Sequence, residues 1–450
     1  MRLSFLTLTS SIAIAVASSI AMAENRTINL PDPLTDDCFP VFSDAEVELG
    51  QLLFWDKALS GNNNIACASC HHPKFGTSDG LSLGMGEGGV GLGPDRTPDP
   101  DNYPEQRIPR NSPALWNVGS NEYTALFADG RIEIDLSRPT GFRTPLEDEM
   151  VSGFASLLSA QTMFPVLSGD EMAGHYHESD ISMLVRQGRL TGDDGAWAAI
   201  AAKISEIPAY EQRFERVYPE IEAGRAVHFT DISNAIAAFM TVAFRSTDAP
   251  FDQMLRDELG FDAAQMRGME LFYGEGQCSS CHAGSILSDM SYHAMGEPQL
   301  GPGKTERFEG HQRDMGRMRV TNDLEDAYAF RTPSLRNVTL TAPYGHSGAY
   351  SVLADYLRHH VSTDDLNEYS IVDATLPAMN VGKPDLNPSA GAGSDFRAIS
   401  DAAYRFERDF TDDEIDDLLQ FLATLEDPVA KNGGHIGIPD SVPSGLPIDR

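Results

Sequence analysis

Cys67-Ala68-Ser69-Cys70-His71 has the C-x-x-C-H pattern that attaches a c-type haem covalently. In this pattern the two thiols form thioethers to the porphyrin, and the adjacent histidine coordinates the iron as proximal ligand. A second copy, Cys278-Ser279-Ser280-Cys281-His282, lies about two hundred residues further on, and the two copies use four of the five cysteines in 450 residues. Because a disulfide or a zinc site would leave both trailing histidines unexplained, the sequence predicts two covalently bound haem c groups.

The N-terminal segment 1–23 has the features of a cleavable secretory signal. A basic Arg2 precedes a short apolar run that ends in Ala21-Met22-Ala23. No later segment has the eighteen or more uninterrupted apolar residues typical of a membrane span, so none is expected. Since c-type haem is attached outside the cytoplasm, we expect a protein of the bacterial periplasm.

The charge of the chain bears on its partners. A formal net charge of −34 argues against nucleic acid and favours a basic protein partner. The same acidity also fits an exported protein that is simply kept soluble. Cys38 lies outside both haem motifs and is interpreted as a bystander thiol.

A helix is predicted before each haem motif. Ser43 and Glu46 form a capping box that begins the first of these helices. The second is expected from about Ala263 to Tyr273, behind Asp262. Each motif is followed by a loop and an Arg-x-x-Pro-type segment, Arg110–Asn117 or Arg331–Asn337. We interpret this order as a weak internal repeat of a cytochrome c-like unit.

The remaining helical patterns are separated by long loops. Apolar spacing predicts a helix from Asp231 to about Phe244 with Thr230 as N-cap, and Thr411 with Glu414 caps a last helix. Strand patterns are sparse. The predicted fold is therefore mainly α, with two cytochrome c-like haem domains, long loops and little sheet. The predicted domains are 24–257 and 258–450, with the junction between residues 251 and 261.

Several segments together carry a family resemblance. With the two haem motifs, RNSPALWN (110–117), FADGR (127–131), AQTMFPVLSGDEMAG (160–174) and FRTPSLRNVTLTAPYGHSGA (330–349) resemble the bacterial di-haem cytochrome c peroxidase and MauG family. The resemblance spans nearly all of the chain after the signal, apart from insertions at about 84–105, 131–158 and 173–225. It implies a peroxidatic first haem, an electron-transfer second haem and a calcium ion between them.

The resemblance also implies a set of residues at the first haem. A peroxide-splitting haem needs an open iron position and a group that shuttles a proton between the two oxygens. Gln161, Pro165 and Glu171 match the distal spacing of the family, which implies that Glu171 is the acid–base group and Gln161 a polar neighbour. Phe127 would form a wall of the pocket. The alternative is that Glu171 is one of 67 acidic residues without a special role.

The second haem needs a ligand opposite His282. Family members carry Met or Tyr fourteen residues after the histidine of their PYxH segment, and this count leads from His346 to His360 here. A helical pattern places His360 on the same face as Leu353, while His359 points elsewhere. His360 is the favoured ligand and His359 the fallback. A His/His haem lacks the thioether that raises the potential of His/Met cytochromes.

The calcium ligands are assigned by resemblance alone. Asn111, Thr341 and Pro343 fall where the family binds calcium, through one amide side chain and two backbone carbonyls.

Two departures from the family pattern concern electron flow and access to the first iron. Ala128 stands where the family commonly has a tryptophan between the haems; Trp116 is a substitute relay or, more simply, a core aromatic. No histidine occurs between Pro73 and Arg110, where many of the peroxidases carry one that blocks the first iron.

Three functions follow from these observations. The first is reduction of hydrogen peroxide, with electrons from a small cytochrome c or cupredoxin. The second is MauG-like oxidation of a residue in a partner protein, and the third is plain electron transfer, against which the Gln161–Glu171 pair argues. A homodimer is compatible with each of them.

Overall fold

The computed structural model describes residues 29–304, 312–362, 366, 369–386 and 392–450, the last range with backbone only for 392–395. The predicted signal 1–23 lies outside the described residues. The fold is mainly helical with small sheets, as the sequence predicts. None of the helices in these ranges is long and apolar enough to cross a membrane.

The described helices are, in chain order, α1 Asp44–Trp55, α2 Cys67–Cys70, α3 Leu157–Thr162, α4 Asp180–Arg186, α5 Ala196–Ser205, α6 Pro208–Val217, α7 Pro219–Glu222, α8 Phe229–Ala243, α9 Pro250–Leu255, α10 Ala263–Tyr273, α11 Met318–Thr321, α12 Leu353–Ser362, α13 Ala392–Ala402, α14 Asp412–Ala423 and α15 Pro428–Lys431. The strands are β1 Gly89–Val90, β2 Thr97–Pro98, β3 Ala125–Leu126, β4 Ile132–Ile134, β5 Phe142–Arg143, β6 Tyr292–His293 and β7 Phe330–Arg331. They pair antiparallel as β1-β2, β3-β4-β5 and β6-β7.

Most of the predicted helix starts are confirmed by their caps. The Ser43 hydroxyl accepts a hydrogen bond from the Glu46 amide at 3.2 Å, and Asp262 and Thr411 cap α10 and α14 in the same way. The prediction that Thr230 is the N-cap of α8 is wrong. That helix begins at Phe229 with His228 as its N-cap, and the backbone amide of His228 donates to the Asp231 side chain at 2.8 Å.

The same helix–helix contact occurs in front of both haem motifs. Helix α1 crosses α8 at Gly50, where an added Cβ would lie 1.8 Å from the Ala235 carbonyl oxygen. Helix α10 crosses α14 at Gly268, where an added Cβ would lie 2.0 Å from the Asp417 carbonyl oxygen. In both pairs a phenylalanine of the partner helix, Phe239 or Phe421, packs beside the glycine. This correspondence supports the interpretation of two similar units.

Two large hydrophobic cores follow from these helix pairs. The first is built on α1, α3, α5 and α8, and the second on α10 and α14. The chain end returns to the first core, where Val442 is buried and Lys57 forms an ion pair with Asp449 at 2.7 Å. The sequence did not indicate this return. The division into domains 24–257 and 258–450 stays a prediction.

We expect Gly50→Ala and Gly268→Ala each to lower the free energy of unfolding by about 1–3 kcal/mol, because a methyl group at either crossing forces two backbones apart. Denaturant unfolding followed by circular dichroism measures the change. Gly260→Ala is the control, since a Cβ there meets nothing within 4 Å. Unfolding midpoints equal to that of the control would contradict close packing at the crossings.

Candidate active site

One continuous cavity of about 460 Å³ is lined by both haem motifs. All four motif cysteines are free thiols rather than disulfides. Burial raises the pKa of the thiols of Cys67, Cys70 and Cys278 to about 12. These three thiols are therefore neutral, whereas the hydrogen bond with His293 lowers the pKa of the Cys281 thiol. All four cysteines line a space into which a macrocycle could be attached.

The histidine of the first motif, His71, follows α2 directly. Its Nδ1 lies 3.1 Å from the Thr77 carbonyl oxygen, so the proton sits on Nδ1 and the lone pair on Nε2. Burial lowers the pKa of His71, which keeps the ring neutral. A neutral ring with one nitrogen fixed and the other free is the form that binds a metal.

The histidine of the second motif, His282, is held in the same way. The Nδ1 of His282 lies 3.2 Å from the Leu287 carbonyl oxygen, and burial lowers the pKa of this ring to about 4. Both histidines thus bond to a carbonyl a few residues further along the chain. The local backbone, rather than a distant element, sets the orientation of each ring.

The space opposite His282 fits an iron with two imidazole ligands. The ring centres of His282 and His360 are 6.3 Å apart. Two imidazoles that share a metal at a bond length of about 2 Å have their ring centres about 6 Å apart. Burial lowers the pKa of His360 to about 4, and its Nδ1 is buried without a hydrogen-bond partner. The pair therefore has the separation and the protonation that the second haem requires.

The helix face predicted around His360 is confirmed. Leu353, Tyr356, Leu357 and His360 of α12 all line the cavity. His359 lies on the other side, where its Nε2 is 3.0 Å from the Gly296 carbonyl oxygen and its ring stacks on a tyrosine. That His360 is the iron ligand stays a prediction.

The four residues predicted at the first haem lie together. Gln161, Pro165, Glu171 and Phe127 all line the cavity that contains His71. Glu171 lies in a single π-helical turn, Gly169–Ala173, a conformation that is frequent at functional sites. Their chemical roles stay predictions.

Two cations lie near Glu171. Burial raises the pKa of the Glu171 carboxyl, whereas Lys304 and Arg131 lower it. Burial lowers the pKa of Lys304 to about 8. Both cations line the cavity, and the sequence reasoning assigned neither to the site. Lys304 follows Gly-Pro-Gly in a loop without periodicity, so only its position in space connects it with Glu171.

The wall formed by Phe127 is held from both halves of the chain. Phe127 has a φ of 65°, which is unusual for a residue with a side chain, and the Arg131 guanidinium lies 3.5 Å from its ring centre. The amide of Arg331 in β7 donates to the Ala128 carbonyl oxygen at 2.7 Å. This hydrogen bond joins the two halves of the chain at Ala128, the position at which the family that the sequence resembles commonly has a tryptophan. Trp116 also lines the cavity, with its Nε1 unpartnered.

The residues assigned to calcium are also brought together. Asn111, Thr341 and Pro343 line the cavity between the motifs. The backbone N–H of Asn111 donates to the His346 carbonyl oxygen at 2.9 Å. This bond joins the segment of Asn111 to the segment that contains Thr341 and Pro343. The Asn111 side chain and the backbone carbonyls of the other two residues are oxygen ligands of the type calcium prefers. Calcium binding here stays a prediction.

Known proteins are similar to this chain. A family described as di-haem cytochrome c peroxidase matches residues 44–259. Cytochrome c551 peroxidase of Pseudomonas aeruginosa is 30% identical over 327 residues, which cover 72% of this chain and 74% of that protein. Methylamine utilization protein MauG of Methylorubrum extorquens is 29% identical, over 75% of this chain and 73% of that protein.

Two solved structures share the fold. A MauG-like protein associated with microbial copper homeostasis aligns with a TM-score of 0.57 at 23% identity, covering 91% of this chain and 96% of that chain. The diheme peroxidase BthA from Burkholderia thailandensis aligns with a TM-score of 0.51 at 21% identity, covering 94% of this chain and 95% of that chain. At these identities the likeness concerns the fold.

We expect His360→Ala to convert the spectrum of the second haem from low-spin to high-spin, because the iron loses one of two strong ligands. Absorption and electron paramagnetic resonance spectra of the oxidised holoprotein measure this change. His359→Ala is the matched control and should leave the spectrum unaltered, since His359 does not line the cavity. A change from low-spin to high-spin in His359→Ala, with none in His360→Ala, would instead show that His359 is the ligand.

Proposed function

The chain belongs to the di-haem cytochrome c peroxidase and MauG family, whose members are oxidoreductases with two c-type haems, and on this premise we propose that it reduces hydrogen peroxide at the first haem. Electrons enter from a small cytochrome c or cupredoxin and pass through the second haem. We propose the periplasm as the place of reaction, with 1–23 as the export signal. The observation that supports the proposal is the difference between the two sites: Glu171 lines the cavity that contains His71, whereas the ring of His360 lies 6.3 Å from the ring of His282.

The reaction needs two protons and two electrons for each peroxide, which yields two molecules of water. A haem held by Cys67, Cys70 and His71 would supply the iron position and would pass on the electrons that the donor protein delivers. Glu171 takes a proton from one peroxide oxygen and gives it to the other. Burial raises the pKa of the Glu171 carboxyl, whereas Lys304 and Arg131 lower it, and a raised pKa makes the carboxyl a better proton acceptor. Gln161 donates a hydrogen bond that orients the peroxide.

The pocket around this acid combines apolar and charged side chains. Phe127 and Pro165 supply apolar surface beside the polar groups. Lys304 lies close enough to Glu171 to influence its charge, so it stabilises the carboxylate form after the proton has been transferred. We propose that calcium at Asn111, Thr341 and Pro343 holds the segments between the two haems in register.

MauG-like oxidation of a partner protein is a second candidate. The observation that favours it is the absence from the sequence of a histidine between Pro73 and Arg110, which leaves no imidazole from that loop to close the first iron. The predicted His/His coordination of the second haem points in the same direction. The substrate in this case is a side chain of a docked protein.

We expect Glu171→Gln to slow the first spectral change after mixing with hydrogen peroxide by about 10²–10⁴-fold, as is typical of a lost general acid–base group. Stopped-flow absorption of the holoprotein measures the rate. Asp193→Asn removes an exposed acid that does not line the cavity and is the control. An unchanged rate in Glu171→Gln would remove this carboxyl from the reaction.

We expect steady-state consumption of hydrogen peroxide with a reduced small cytochrome or cupredoxin, at two donor molecules per peroxide. Absence of turnover with every donor would contradict peroxide reduction.

If the second candidate holds, we expect the fully oxidised protein to react with peroxide without prior reduction, because no histidine between Pro73 and Arg110 would close the first iron. The absorption spectrum recorded directly after mixing measures this. An immediate change favours protein oxidation, and a requirement for half-reduction favours peroxide removal.

A further inference from the structure

A buried carboxylate in the insertion at about 84–105 lies outside the haem cavity. Glu87 is only 1% exposed. Three side-chain amides converge on its Oε1, those of Asn62 at 2.6 Å, Asn64 at 2.6 Å and Asn102 at 2.8 Å. Its other oxygen, Oε2, is buried without a hydrogen-bond partner. A buried carboxylate oxygen without a partner is costly, which indicates that a ligand is part of this arrangement.

A second carboxylate faces the same group of amides. Asn62 Nδ2 lies 2.6 Å from Glu87 Oε1 and 2.7 Å from Glu178 Oε2, so two acids meet at one side-chain atom. Among the ion pairs of the described residues, no lysine or arginine pairs with either acid, and the partner of Glu178 is His175. Two carboxylates this close repel each other unless a cation lies between or beside them.

We propose that Glu87, Asn62, Asn64 and Asn102 bind a calcium ion, with Glu178 at the edge of the site. Calcium prefers several uncharged and carboxylate oxygens in irregular geometry, and this cluster offers them from four side chains. A side-chain amide presents its oxygen instead of its nitrogen after a half-turn about its last bond. The Oδ1 of Asn64 is buried and unpartnered in the present orientation, so turning this amide brings an unused oxygen to the ion.

The site lies directly behind the turn that carries the proposed acid–base group. The Glu87 amide donates to the Asp170 carbonyl oxygen at 2.9 Å. An added Cβ on Gly86 would lie 3.0 Å from the Glu171 Cα, so the insertion and this turn are in close contact. The ion fastens the insertion to the segment before the first haem motif and thereby supports the backbone of Glu171. This calcium site is distinct from the one proposed at Asn111.

The first test is calcium binding by the holoprotein. The protein is stripped with a chelator and titrated with calcium chloride in a calorimeter, and bound calcium is counted by elemental analysis. We expect Glu87→Gln to bind one ion fewer per chain than the unchanged protein. Asp101→Asn removes one charge from an exposed position of the same loop and should retain both the count and the affinity. An unchanged count and affinity in Glu87→Gln would overturn the proposal.

A second variant covers the case in which Glu87→Gln fails to fold. Asn102→Ala removes one ligand from a half-buried loop position and should weaken binding by at least about tenfold with an unchanged circular dichroism spectrum. An affinity equal to that of the unchanged protein would overturn the site. Asn111→Ala separates the two calcium proposals. The double variant with Glu87→Gln should bind two calcium ions fewer per chain than the unchanged protein, whereas each single variant should bind one fewer.

Discussion

The arrangement of the two haem units depends on a buried ion-pair group around Arg110. Its guanidinium lies 2.8 Å from Asp129, in the first half of the chain, and 2.8 Å from Asp314, in the second half. Burial alone would lower the pKa of Arg110, but the two carboxylates raise it above its ordinary value. Charges this deeply buried are tolerated only when they are paired with good geometry. The group therefore holds both halves in one register, and Arg110 itself lines the cavity between the haem motifs.

A repeated unit serves two different sites within this frame. Each unit has a helix with a glycine crossing, a C-x-x-C-H motif and a histidine bonded to a nearby carbonyl. The units differ in what reaches the opposite side of the cavity. The insertion and π-turn bring Glu171 towards the first motif, whereas α12 brings His360 towards the second. The division between reaction and electron transfer that we propose rests on these two long-range additions to one common unit.

Local interactions explain which parts of the fold could be predicted. The caps at Ser43, Asp262 and Thr411 involve residues within one helical turn, so the sequence contains all of the information. The error at Thr230 has a different cause: threonine is a good capping type, but the N-cap is His228, whose amide donates to the Asp231 side chain. The helix begins at Phe229, whose side chain is buried in the first core, and no local pattern encodes that long-range contact.

The sequence by itself determined the two C-x-x-C-H motifs, the helix before each and the apolar face that carries His360, because these are patterns of spacing along one segment. Only the tertiary structure decided that Lys304 and Arg131 lie beside Glu171, and that the amides around Glu87 converge on one carboxylate. These groups come from loops far apart in the chain, where no periodicity applies. Their contacts arise from the packing of the two cores, and the electrostatics of both sites depend on that packing.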